Sequence, residues 1–170
     1  MGRSLKLAWC LTFSIAAIPC SLWAADTPEQ ILTRARAVLS QLEGDIPLSG
    51  LREPVEVLRD RWGIAHIYAR NTPDLFFAQG FIAAQDRLFQ LDTWRRIGLG
   101  ETAAVTGEQA LEGDRFARLL LYRGDMQAEW QSYSPDTLEI ATAFTQGINA
   151  CIDHAAQQLP IEFQILGYQP

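Results

Sequence analysis

Apolar residues recur at helical spacing in four separate stretches of the sequence and alternate with polar ones in two short runs. Thr27-Pro28 reads as an N-cap followed by proline in the first turn, and Ile31, Leu32, Ala35, Val38, Leu39 and Leu42 continue one apolar stripe to Gly44. This predicts a helix from Pro28 to Gly44. The stretch Asp45 to Pro54, with two prolines, Ser49 and Gly50, predicts a linker. Val55 to Arg59 and Ile64 to Ala69 are β-rich, and Asp60-Arg61-Trp62-Gly63 between them has turn chemistry, so a hairpin is expected.

Thr72-Pro73-Asp74 repeats the cap, proline and acid arrangement and opens the longest predicted helix, with Phe77, Phe81, Ala84, Leu88 and Leu91 on its buried face. Gly80 inside it costs ~1 kcal/mol relative to alanine, a cost expected where another backbone approaches closely. The pattern gives way at Gly98 and Gly100. A third helix is predicted from about Asp114 to Gln131, using Phe116, Leu119, Leu120, Met126 and Trp130. Ser134-Pro135-Asp136 opens a fourth, whose apolar positions are Leu138, Ala141, Phe144, Ile148, Cys151, Ile152 and Ala155, and Pro160 stops it. The fold class expected is α+β, a hairpin followed mainly by helices.

The first residues change this picture. Arg3 and Lys6 precede an apolar core from Leu7 to Ala17, and Leu22-Trp23-Ala24 approaches a small-residue cleavage site, the order of an export signal. The uncharged run Leu7 to Ala25 is 19 residues long, so a retained anchor is the competing reading, and Cys20 admits a lipoprotein site, which Pro19 fits poorly. Three parts follow: a signal peptide over 1–24, a helix and linker over 25–54, and the remainder over 55–170. The expected location is the periplasm or the medium. Without the signal, 12 basic residues face 20 acidic ones, which excludes an electrostatic grip on nucleic acid or an anionic membrane. Only Cys151 then remains, so no internal disulfide can form.

Candidate chemistry is sparse. His66 shares a strand face with Ile64 and Tyr68, with no serine near it in sequence, and reads as a histidine satisfied by backbone or a carboxylate. Cys151 and His154 have the i,i+3 spacing of two metal ligands, but the further ligands that zinc needs are missing and Cys151 lies on the apolar stripe. Asp86, Arg87, Asp92, Arg95 and Arg96 interleave on the second helix, either as a solvated face or as a buried arginine clamp. Gly98-Leu99-Gly100-Glu101 follows a helix rather than a strand, so it lacks the context of a phosphate loop. No acid/base pair stands out among the carboxylates.

Arg59-Asp60-Arg61-Trp62-Gly63-Ile64-Ala65-His66-Ile67-Tyr68-Ala69 is followed by Asp74-Leu75-Phe76-Phe77-Ala78-Gln79-Gly80-Phe81 and Ala84-Gln85-Asp86-Arg87-Leu88-Phe89-Gln90-Leu91-Asp92. Then come Arg95-Arg96-Ile97-Gly98-Leu99-Gly100, Ala143-Phe144 with Gly147-Ile148-Asn149-Ala150, and Leu159-Pro160-Ile161-Glu162-Phe163 with Leu166-Gly167-Tyr168-Gln169-Pro170. This ordered set resembles the N-terminal part of the penicillin acylase family over about Val55 to Pro170. Ala65 departs from it, since the family commonly has proline before the histidine, and the helix from Pro28 to Gly44 lies outside it.

The resemblance implies an N-terminal nucleophile hydrolase with an αββα sandwich, exported as one precursor that cleaves itself into an α-chain and a β-chain. This sequence would be the N-terminal part of the α-chain, an expectation shared by its apolar end at Ile161 to Tyr168. The implied nucleophile is the first serine of the β-chain, activated by its own α-amino group, which titrates near ~8. Calcium is implied for the complete protein, and the partner is the β-chain of the same precursor. Ser132 and Ser134 match no family nucleophile, and no residue of this sequence is nominated as catalytic, cofactor-binding or metal-ligating. The implied reaction is hydrolysis of a linear non-peptide amide, of a β-lactam side chain or an acyl-homoserine lactone, with this segment inactive alone. The rival expectation is a non-catalytic exported helical module that binds or scaffolds, from a degraded acylase gene.

Overall fold

A computed structural model describes residues 26–170, so the export signal read over 1–24 lies outside the described residues. The elements are α1 (Pro28–Ala37), β1 (Glu56–Arg59), β2 (Ala65–Tyr68), α2 (Thr72–Leu99), α3 (Ala103–Thr106), a short 3-10 turn (Glu108–Ala110), α4 (Leu111–Leu120), α5 (Met126–Ser132), α6 (Thr137–Ala155) and α7 (Ile161–Leu166). The class is α+β.

Two glycines set the centre of this arrangement. A Cβ on Gly80 would lie 2.0 Å from the Phe144 carbonyl oxygen, and one on Gly147 would lie 1.9 Å from that of Phe77. Helices α2 and α6 therefore touch backbone to backbone, each through the other's glycine, and the expectation for Gly80 is met. Phe81, Ala84, Leu88, Cys151 and Phe163 form the core around this crossing. On α6 the most buried positions are Ala143, Gly147 and Cys151, a stripe rotated from the one expected. The close approach explains the rotation, because only small side chains fit between the two backbones. Leu138, at the start of the expected stripe, is exposed.

Helix α2 is capped by Asn71 rather than by Thr72, because the Asn71 side chain accepts from Asp74 N at 2.9 Å while its own backbone stays extended. The helix runs through Gly98 and ends on Gly100, whose positive φ suits a C-cap. Arg87 has non-helical backbone angles and marks a kink inside α2. Two residues earlier the Gln85 carbonyl accepts the Ser40 hydroxyl at 3.1 Å, the kind of side-chain intrusion that bends a helix. The same contact explains why α1 stops at Ala37 instead of Gly44. The chain after Val38 leaves the helix and runs along α2, with Gln85 Nε2 donating to the Gln41 carbonyl at 2.9 Å.

The hairpin is antiparallel, with Glu56 opposite Tyr68, Val57 opposite Ile67, Leu58 opposite His66 and Arg59 opposite Ala65. In its turn the Asp60 carboxylate accepts from Trp62 N at 2.8 Å and Ile64 N at 3.0 Å, and Gly63 takes the positive φ. The helix predicted from Asp114 to Gln131 is in fact two. Leu121 turns extended after α4, and Asp125 starts α5 by accepting from Gln127 N. The apolar end of the chain folds as α7, which seats Phe163 in the core at 1% exposure.

Candidate functional site

The densest polar junction lies where the hairpin meets α2. Arg59 donates to both Asp86 oxygens, at 3.0 and 2.8 Å, to the Gly63 carbonyl at 3.0 Å and to Gln85 Oε1 at 3.1 Å. One guanidinium thus ties the turn, the strand and the kinked turn of α2 together, with the planar fork that carboxylates match. His66 stands on the outer face of the hairpin, with Nε2 3.6 Å from Asp60 Oδ2. A carboxylate is therefore its neighbour, as expected, and it shares that face with Ile64 and Tyr68. Burial would raise the Asp60 carboxyl, but hydrogen bonds from Ile64 and Trp62 and the nearby His66 outweigh it and hold the group below its ordinary value.

Beneath the hairpin a cleft of about 280 Å³ opens between Leu42, Ile46, Val57, Phe77, Phe81 and Gln85. Its lining mixes these apolar side chains with Glu43, Asp45 and Arg59, and the amide of Gln85 is already engaged by Arg59 and Gln41.

The acidic and basic residues of α2 separate into two roles. Asp86 pairs with Arg59, while Asp92, 5% exposed, is clamped by Arg95 Nη2 at 2.8 Å and Arg96 Nε at 2.7 Å. The buried clamp, not the solvated face, is the arrangement found at Asp92. Arg96 also lies 4.8 Å from the Tyr168 ring centre and donates to the Gln169 carbonyl, so the clamp fastens the end of the chain to α2. Arg87 stays exposed. Gly98 is helical and Gly100 is a cap, so neither forms a phosphate loop.

Two buried carboxylates were not legible as such in the sequence. Asp74, 1% exposed, accepts from Arg52 N at 2.9 Å, Glu53 N at 3.0 Å and Asn71 Nδ2 at 2.6 Å. Asp114 accepts from Thr102 N at 3.0 Å and Ala103 N at 2.7 Å. Asp74 had a signal, the acid of the Thr72-Pro73-Asp74 arrangement, whereas Asp114 had none. At each of Asp74, Asp92 and Asp114 burial acts to raise the carboxyl. It is outweighed by the donors, first Arg52 N at Asp74, Arg96 at Asp92 and Ala103 N at Asp114, so all three sit below their ordinary value. A carboxylate depressed by folding contributes stability that is fully present above the unfolded value of ~3.9 and is lost as pH falls through the folded one. The urea midpoint is therefore expected to hold from pH 7 to about 5 and to drop below about pH 4. Asp74→Asn should flatten that drop, and an unchanged midpoint at pH 3 would contradict the assignment.

The remaining candidates stay apart. Cys151 is buried on the α6 core face, and burial, then the charge of Asp86, push its thiol up to about 11, which makes it an inert packing residue. His154 packs its ring 6.0 Å from that of Phe81. Ser132 donates to the Glu129 carbonyl and Ser134 to Asp136 Oδ1, both as local turn bonds on the surface. Among the described residues no three of His, Cys, Asp and Glu gather to hold a metal ion. No described helix is long and apolar enough to cross a membrane.

A family model described as penicillin amidase matches residues 54–170. The chain is 37% identical to "Penicillin acylase 2 proenzyme" of Pseudomonas sp. (strain SE83) over 147 residues, covering 86% of this chain and 18% of that protein. It is 29% identical to "Acyl-homoserine lactone acylase QuiP" of Pseudomonas fluorescens (strain Pf0-1) over 136 residues, covering 80% and 17%. It thus spans less than one fifth of the length of these curated relatives. The solved thermostable penicillin G acylase from Alcaligenes faecalis superposes with a TM-score of 0.62 at 32% identity, covering 69% of this chain and 64% of that one.

Proposed function

The chain belongs to the penicillin amidase family, and on that premise we propose that it is the N-terminal part of an exported amidohydrolase precursor. When complete, that precursor hydrolyses a linear non-peptide amide to a carboxylic acid and an amine. The observation that carries this reading is the match across residues 54–170, shared with proteins named as acylases and reached again by the superposition. A second observation supports processing into two chains. This chain covers 18% of the Pseudomonas proenzyme but 64% of the solved Alcaligenes chain, so the solved chain is several times shorter than the proenzyme. That relation is the one expected when one polypeptide is cut into separate chains.

In this reading the described residues build scaffold, and the chemistry belongs to a serine at the start of a downstream β-chain. Its α-amino group takes the hydroxyl proton at neutral pH, and fixed donors stabilise the oxyanion that forms. The residues described here hold the hairpin on α2 through Arg59 and fasten the outgoing end through Asp92 and Arg96. Both β-lactam side chains and acyl-homoserine lactones are substrate classes of the reading, since relatives of each name match. Calcium, on the family resemblance alone, and a periplasmic or secreted location, on the export signal read in the sequence, are proposed for the complete protein.

The test is expression of the complete reading frame with mass analysis of the product. Self-cleavage into two chains and release of amine from phenylacetyl and acyl-homoserine lactone amides are expected. Alanine at the new N-terminal serine should abolish both, and amide hydrolysis surviving that change would refute the mechanism. A single uncut chain with no hydrolysis would favour a binding or scaffolding role.

A further inference from the structure

The Gln85 side chain stands between two separate parts of the chain. Its Oε1 accepts from Arg59 Nη2 at 3.1 Å on the hairpin side, and its Nε2 donates to the Gln41 carbonyl at 2.9 Å on the other. A guanidinium only donates and a carbonyl only accepts, so one orientation of the amide satisfies both partners and the flipped one satisfies neither. The link needs a planar group with an acceptor and a donor side by side. Methionine, of similar length, offers neither, and glutamate offers acceptors alone.

The segment from Gln41 to Glu53 is tied to α2 at two places, and the ties differ in strength. At its far end the amides of Arg52 and Glu53 donate to the Asp74 carboxylate, which is buried. At its near end the bonds of Ser40 and Gln41 to Gln85 lie at exposed positions, where water competes for each partner. Gly50, at φ +110°, turns the backbone just before the strong tie. The ties on α2 are about 16 Å apart at ~1.5 Å per helical residue, whereas the segment between them extends to about 36 Å, so it carries slack. Between the ties Leu42, Ile46 and Leu48 form one wall of the cleft beneath the hairpin. Val38 to Gln41 close a second cavity, of about 190 Å³, whose wall includes Cys151.

We propose that residues 38–51 are a strap that opens from its Gln85 end about Gly50, and that the Gln85 amide couples its closure to the docking of the hairpin on α2. A closed strap presents the Gln41 carbonyl, which turns the amide so that Oε1 faces Arg59. A docked hairpin does the reverse and holds Nε2 toward Gln41. Each part therefore closes more tightly when the other is closed, and the coupling is reciprocal. Gln41 and Gln85 line both cavities, so opening merges them into one groove along α2 and uncovers Cys151. The device stands whether or not the complete protein hydrolyses an amide.

The test uses the complete protein and two readouts by peptide mass analysis. Alkylation of the Cys151 thiol by N-ethylmaleimide reports on the strap, and hydrogen exchange of the β1–β2 ladder reports on the hairpin. Arg59→Met removes a hairpin group and should speed Cys151 alkylation by about three- to tenfold, the effect of losing one or two hydrogen bonds on a local opening. Ser40→Ala removes a strap group and should speed hairpin exchange by about two- to fivefold. In a Gln85→Met background neither crossed effect should remain. Gln85→Glu keeps the acceptor for Arg59 and loses the donor for Gln41, so it should speed alkylation and leave hairpin exchange slow. Crossed effects that are absent in the parent, or that persist undiminished in the Gln85→Met background, overturn the proposal. So does exchange at the α2–α6 crossing that rises in step with alkylation, because Cys151 would then be reached by unfolding of the core.

Discussion

Phe163→Ala is expected to lower stability by about 4 kcal/mol, within the range measured for large-to-small changes in well-packed cores. Phe163 is 1% exposed and meets the rings of Phe89 and Tyr168 edge-on, with centroid separations of 5.5 and 5.2 Å. Its loss removes the anchor by which α7 is held on the core beside Phe81, Leu88 and Cys151. The cavity left behind is apolar and should stay dry, so a small aromatic such as toluene should raise the variant's unfolding midpoint and leave the parent unmoved. Urea unfolding with and without toluene reads both effects. A loss below about 1 kcal/mol would mean that α7 is not held by this side chain.

Gly147→Ala should be almost as damaging, at about 3 kcal/mol, although alanine is the better helix former by ~1 kcal/mol. The added methyl would sit 1.9 Å from the Phe77 carbonyl oxygen, and the obstacle is backbone, which cannot rotate aside as a side chain could. The same substitution at Gly98 is the control. Gly98 is helical, exposed, and has nothing within 4 Å of the new methyl, so Gly98→Ala should stabilise by up to ~1 kcal/mol. Opposite signs in the two unfolding midpoints are the expected result. A neutral Gly147→Ala would show that α2 and α6 do not approach as described.

Much of this architecture was legible because its causes are local. The hairpin was visible in the β-rich runs and the Asp60-to-Gly63 turn, α2 in its apolar spacing and its proline start, and α6 in its apolar spacing, although α6 begins at Thr137, after the Ser134-Pro135-Asp136 start read for it. Gly80 announced the helix crossing by being the wrong residue for a helix interior. What escaped the sequence depends on partners distant in the chain. The pattern of α1 continues to Leu42, but Ser40 and Gln41 are claimed by Gln85, some 45 residues away, and the helix ends early. The apolar set Phe116, Leu119 and Leu120 looked like a core stripe and is instead the outer face of α4, because Asp114 and Arg118 bind the helix by its polar side. Of the site, the Asp92 clamp was foreseen as one of two alternatives. Asp86 was grouped with it, yet serves Arg59, a pairing of strand with helix that spacing along α2 cannot reveal.

The reciprocal contact of Gly80 and Gly147 also governs how the sequence can drift. A methyl at either position pushes the two helices apart at the same crossing, so the first replacement bears nearly the whole cost and the second finds the gap already opened. The two sites are thus coupled by antagonism. A chain that retains one glycine has every reason to retain the other. A chain that has lost one has little left to protect at its counterpart, so the pair is expected to be inherited or abandoned together.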